Sequence, residues 1–549
     1  DIGRPRLVSR ARTGASREVT HSMLLTAAVT SWQPHTERKR CFGVRSGSSS
    51  EHCGRYMRGH RRPAQPPTAN WQPLVDSYLS SYAGGVSRSD VDYAEAWAAN
   101  ASQFTAAGSW RARVVNGSLW VRPIHFYEHW KERASVLRIL LLAAQQASAL
   151  GEPLPDSELV FAAADSDPTV LHSRRRCHAP NTSATLHGRR RTRPAANCPR
   201  LPVFVHARAS ALGSTALPLP EYSWVGSYHS PPWCQMQPRF ERAAAAWGWE
   251  QRDARAYFGG ACSTGISRQS LLPLNRTHGE LLHVLDVGFG RSGFVNPHDV
   301  ERAKRSYARL GVGWGNFSAQ LPPDYACRFQ VLLSVPGFGY SNRLRQLLAC
   351  GSAVVHVQHQ SHEFFEPLLK SGVHYLTLPG GFGTGGGETA VRSVRQQLVP
   401  LLRALRSDGT QRRRLGRAAA AFARSRLTHA AAVSYARALL TAYGTLYRSE
   451  VVAPSPADSE GGGFFRIDSA HDLLRAARMC DCAADNARHT PHAARPRHEA
   501  RCTLGGGIAC HPFPRGSSGC WAARCCAGWD CPTKALGCPE VAAGNASRM

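Results

Sequence analysis

Between residues 330 and 378 the apolar positions change period twice. Gln330–Val335 is a short continuous apolar run, as expected for a strand buried on both faces, and Leu344, Leu347 and Leu348 then recur at i, i+3, i+4 as one face of a helix. Val354–Val357 is a second β-rich run. Between the first strand and the helix, Gly337 and Gly339 predict a tight turn, with Ser341 as helix N-cap and Arg343 in the first helical turn. Backbone N–H groups, a helix dipole and a guanidinium would then converge, which predicts an anion site of the size of a diphosphate.

The same periods organise the rest of the chain. Leu137, Leu140, Leu141 and Ala144 lie on one face of a helix predicted over 126–150, which feeds a strand at Leu159–Ala163 and an acidic loop. Further helices are predicted at Val391–Arg406 and Arg412–Tyr447. Four parts follow: a basic segment, 1–68, without sustained periodicity and expected to be disordered; an α/β unit, 69–253, interrupted by a basic loop at 170–200; a second α/β unit, 254–450; and a Gly/Cys-rich tail, 451–549.

Taken together, the motifs are more specific than any one of them. Gly337, Ser341, Arg343, Cys350-Gly351-Ser352, Glu363-Phe364-Phe365, Pro367 and His374-Tyr375 resemble the core of glycosyltransferase family 90, which includes protein O-glucosyltransferases and fungal capsule xylosyltransferases. Upstream, Trp247-Gly248-Trp249 and the segment through Arg268 are similar to the family's Trp-x-Trp and "FRGS…R" stretch, with Gly259 standing where the family usually has Arg. LPDSELVFAAADSDP, residues 154–168, is similar to the family's "LPDxE…DxP" segment.

The resemblance implies a GT-B-like fold, two Rossmann-like domains facing a central cleft, and inverting transfer of glucose or xylose from a UDP-sugar to a hydroxyl. It implies Asp165 as the base that takes the acceptor proton, with Asp167 a second candidate nearby. Arg268, Gly337, Gly339, Ser341 and Arg343 would hold the donor diphosphate, whose departing charge fixed guanidinium groups stabilise. Tyr222, Trp224 and Trp233 are acceptor-side candidates, against the alternative that they are core aromatics. A protein or glycan acceptor is expected; for the animal members it is a serine of a folded EGF-like repeat. No cofactor or metal is expected, although Asp165-Ser166-Asp167 is also the metal-binding signature of another glycosyltransferase fold.

The chain has 549 residues and a formal charge of +29, from 67 basic and 38 acidic residues. Such a charge raises nucleic-acid binding, and a basic glycan- or nucleic-acid-binding protein that kept the fold is the rival from another class. However, only Lys39, Lys131, Lys304, Lys370 and Lys534 are lysines, and the arginines lie in Ala-rich surroundings without zinc-finger spacing or an RNP-like strand, so no nucleic acid is expected. Nine of the 17 cysteines lie between Cys480 and Cys538 and do not form a CxxC…CxxC framework, leaving disulfides, zinc or a shifted reading frame for the tail. The cysteines, with N-x-[ST] sequons at Asn100, Asn116, Asn181, Asn275, Asn316 and Asn545, predict the lumen of the secretory pathway, endoplasmic reticulum or Golgi, with a signal or anchor absent from this sequence an open option. His359-x-x-His362-Glu363 has metal-ligand residue types but is read as structure, and Gly380–Gly387 as a flexible loop.

Overall fold

A computed structural model describes most of residues 70–468 and two short strands, Thr503–Leu504 and Ile508–Ala509. Outside the described residues lie 1–69, 101–107, 126–136, 164–168, 170–177, 187–188, 195–199, 211–213, 227–230, 289–296, 320, 338, 360, 379–387, 455–462 and most of 469–549, so the readings made for the basic N-terminal segment, the glycine tract and most of the tail fall there.

The described residues open with helices α1 (Gln72–Leu79) and α2 (Arg88–Asn100), followed by the hairpin β1 (Ser109–Val115) and β2 (Ser118–His125). Helix α3 (Leu137–Ala149) buries Leu137, Leu140, Leu141 and Ala144 as the apolar spacing predicts, and leads into β3 (Ser157–Ala162), all of whose residues are buried. The hairpin β4 (His178–Leu186) and β5 (Arg189–Pro194) stands apart as its own two-stranded sheet within the predicted basic loop. Short strands β6 (Val203–Val205), β7 (Arg208–Ala209) and β8 (Leu217–Pro218) follow, then α4 (Trp233–Ala246).

The second half alternates β9 (Asp253–Gly260), β10 (Leu282–Asp286), β11 (Phe329–Ser334), α5 (Leu344–Ala349), β12 (Ala353–Val357), β13 (Ser361–His362) and β14 (Leu376–Leu378). Helices α6 (Glu388–Ser407), α7 (Gly409–Arg426) and α8 (His429–Leu446) come next, followed by β15 (Phe465–Ile467). The predicted 412–447 helix is thus two, divided where Thr428 caps α8 by accepting from the backbone N–H of Ala431.

Two main sheets result. The first has order β15-β2-β1-β3-β6-β8, antiparallel through β1–β3 and parallel from β3 to β8; the second, β10-β9-β11-β12-β14, is parallel throughout. Their ends are stitched together. β6 runs directly into β7, which pairs antiparallel with β13, three residues beyond β12, so that Ala209 faces Ser361 and Arg208 faces His362. The carboxyl ends of β6 and β12 therefore meet at one bridge.

One continuous core underlies this seam. Trp224 packs edge-on to Trp233 and lies within ring contact of Phe364 and Phe365, while Phe364 stacks on Tyr435 of α8 at 4.4 Å. Helix α8 also reaches the first sheet, where Tyr443 donates a hydrogen bond to the Glu158 carbonyl at 2.8 Å. Glu158 itself is fully buried, with Arg111 as its close ion partner and Arg113 and Arg88 each at 3.3 Å. Asp156 accepts from the Asn116 backbone at 2.7 Å, so both acidic residues preceding the predicted catalytic loop have structural roles.

Candidate functional site

The site grows from the β11–α5 connection. β11 falls where the apolar run predicts it, but α5 begins at Leu344 and Arg343 occupies the N-cap position without a side-chain cap, so Ser341 is not the cap. The physical reason is a turn: the Ser341 carbonyl accepts from the Leu344 N–H at 3.3 Å, which delays the helix by two residues. The Ser341 hydroxyl is instead buried without a hydrogen-bond partner.

Gly337 is needed for space and not for a left-handed backbone. A Cβ there would lie 3.0 Å from Thr264 Oγ1 and 3.1 Å from the Arg268 guanidinium. The turn is closed by the Gly337 N–H donating to the Gly339 carbonyl at 3.2 Å.

Arg268 arrives from the turn after β9. Its Nε donates to the carbonyls of Val335 and Pro336, both at 3.1 Å, and its Nη1 to Thr264 Oγ1 at 2.8 Å and the Ala261 carbonyl at 3.4 Å. The strand end thus orients the guanidinium, and Nη2 has no protein partner among the described residues. Arg343 reaches the same place from the other side, with Nη1 on the Gly259 carbonyl and Nη2 buried and unpartnered. Both guanidinium groups lie over the Phe258 ring, at 5.7 Å and 4.8 Å from its centroid.

This is an electrostatically unsatisfied arrangement. Burial first, and then the Arg343 charge, push Arg268 down to about 9, and burial lowers Arg343 as well. Among the described residues no carboxylate forms a salt bridge with either guanidinium, so the pair is organised to receive an anion. The substitution at 259 fits within this geometry: a Cβ there would collide with the Tyr257 hydroxyl, which occupies the space a side chain would need.

The other predicted residues separate. Asp165 and Asp167 lie outside the described residues, beyond the end of β3. Trp224 and Trp233 are 0% and 1% exposed, so the acceptor-side expectation for them is corrected. Their faces are occupied by the Arg345 guanidinium, 4.4 Å and 5.1 Å from the ring centroids, and the Trp233 indole N–H donates to the Leu427 carbonyl. Tyr222 is partly exposed and packs edge-on to His206, just past β6.

Arg345 belongs to a buried polar cluster. Its Nη1 lies 2.8 Å from Glu221 and 3.5 Å from Glu363, and its Nη2 donates to the Ser223 hydroxyl. Burial pushes the Glu363 carboxyl well up, and Glu221 is the nearer of the two carboxylates to the Arg345 guanidinium. His359, His362 and Glu363 do not converge: His362 Nδ1 meets the Ser210 hydroxyl at 3.0 Å, His359 accepts from the Ser361 backbone, and Glu363 faces Arg345. Among the described residues no three His, Cys, Asp or Glu side chains are grouped to hold a metal ion.

Sequence reasoning missed Ser263 and Thr264. Thr264 braces Arg268, and the Ser263 hydroxyl is buried and unpartnered in the same turn. Their only sequence signal is two hydroxyl residues between a strand end and a helix start, which is common.

Comparison with known proteins matches residues 98–459, more than half of the chain, to the pattern described as Glycosyl transferase family 90. The O-glucosyltransferase rumi homolog of Aedes aegypti is 29% identical over 150 residues, covering 27% of this chain and 33% of that protein. Human Protein O-glucosyltransferase 1 is 27% identical over 194 residues, covering 32% of this chain and 43% of that protein. The alignments thus span less than half the length of either relative. Among solved structures, Anabaena Alr3699/HepE in complex with UDP and glucose matches at a TM-score of 0.24 and 15% identity, over 36% of this chain and 50% of that one. That likeness is too small to carry an argument.

Proposed function

The chain belongs to glycosyltransferase family 90, and we propose that it transfers glucose or xylose from a UDP-sugar to a hydroxyl, with inversion, on a protein acceptor. The observation that carries this reading is the pair Arg268 and Arg343, two guanidinium groups over one Phe258 ring with no carboxylate salt-bridged to them among the described residues. Such a pair is suited to a diphosphate leaving group, because fixed cations stabilise developing charge without rearranging.

In this reading the Asp165 carboxylate removes the acceptor hydroxyl proton. The acceptor oxygen attacks the anomeric carbon, the bond from that carbon to the diphosphate oxygen breaks, and the electron pair leaves with UDP. Arg268 and Arg343 supply the positive charge, so no metal is required. The two parallel-stranded regions, joined at β7–β13, are taken as the two halves of a GT-B-like cleft. The Cys327–Cys350 disulfide supports residence in an oxidising lumen. No described helix is long and apolar enough to cross a membrane.

The test is sugar transfer by the purified protein, with UDP-glucose and UDP-xylose supplied in turn and a folded EGF-like domain as acceptor. Asp165→Asn should abolish transfer while sparing UDP binding, and EDTA should leave transfer intact. Activity lost to EDTA and restored by Mn²⁺ would replace the base reading with a metal reading.

A further inference from the structure

We propose that His359 is a further donor-binding residue, whose Nε2–H hydrogen-bonds a phosphoryl oxygen of the diphosphate; this rests on the donor-site reading above. The residue lies just past the carboxyl end of β12, the neighbour of β11. In that register His356 faces Ser334, and the two residues that follow β11, Val335 and Pro336, supply the carbonyls that orient Arg268. His359 is close enough to Arg268 for that guanidinium to lower its basicity, after burial.

The tautomer is set by the backbone. The Ser361 N–H donates to His359 Nδ1 at 3.1 Å. The reverse arrangement, Nδ1–H donating to the Ser361 carbonyl at 3.4 Å, is longer and would set two N–H groups against each other. The proton therefore sits on Nε2. Nε2 has no protein partner among the described residues, and the ring is only partly buried. A neutral N–H donor near Arg268 adds a hydrogen bond to an anion without adding to the repulsion between Arg268 and Arg343.

Calorimetric titration of the full chain with UDP tests this, using His359→Phe, which removes the donor, and His359→Gln, whose amide keeps one at a similar reach. His359→Phe should weaken UDP binding by about tenfold, the effect of one hydrogen bond to a charged group, and His359→Gln should recover most of it. Thermal unfolding of each variant reports folding separately. Wild-type affinity in His359→Phe, or equal losses in both variants, overturns the proposal while leaving the donor site standing if Arg343→Ala still loses UDP. If Arg343→Ala binds UDP like the wild type, the donor-site reading fails and this assignment fails with it.

Discussion

Arg343 and Arg345 are two residues apart, yet their replacement by alanine should have opposite consequences. Arg343→Ala removes one hydrogen bond to the Gly259 carbonyl and a contact with Phe258, together worth about 1.5–2 kcal/mol. It also relieves a desolvated charge that repels Arg268, so the free protein should change in stability by no more than about 1 kcal/mol. Binding should suffer. Loss of a charge-assisted contact costs about 1.5–3 kcal/mol, or roughly 10- to 150-fold in Kd for UDP.

Arg345→Ala strands Glu221, which is fully buried at 2.8 Å, and removes the cation lying over Trp224 and Trp233. Breaking such a pair costs about 3–5 kcal/mol, a fall in Tm on the order of 4–6 °C for a body of this size. Scanning fluorimetry and UDP titration of both variants measure the contrast. If Arg343→Ala proves as destabilising as Arg345→Ala and still binds UDP normally, the unpaired-cation argument is refuted.

Three other outcomes are expected. Cys350→Ala, which opens the bridge to Cys327, should cost about 3 kcal/mol in unfolding free energy, and peptide mapping without reductant should recover the 327–350 pair. Burial lowers His429 and His362 to about 4, so the unfolded chain takes up protons first as pH falls. The stability these histidines contribute is complete above about pH 6.5 and lost as pH falls to about 4; urea unfolding of His429→Gln should show a shallower acid loss, and an unchanged slope would argue against a neutral buried ring. A chain ending at residue 451 should melt below one ending at 468, because β15 pairs with β2 and places Phe464 under Arg113 at 4.2 Å; equal melting temperatures would mean that β15 contributes nothing to the sheet.

The elements that place the proposed donor site were legible in the sequence because their signals are local. The apolar run of β11, the period of α5 and the glycine between them occupy fewer than about 20 residues, over which side-chain period reports backbone geometry directly. Arg268 and Arg343 were found by their positions in motifs flanking such elements, and the structure brings them to the same ring although they are 75 residues apart.

What the sequence left open depends on partners far away along the chain. Ser341 has the residue type of a cap, but the local turn starts the helix later. Trp224 and Trp233 are as suited to a cleft as to a core until the α5 helix sets Arg345 across their faces. The same holds for β15, whose three residues become a sheet edge only because β2 presents unpaired backbone groups to them. Local period determines which backbone forms, whereas the partner of a buried charge, an indole face or an open strand edge is decided by tertiary packing. Those contacts join segments about 100 or more residues apart, and no spacing along the chain encodes their register.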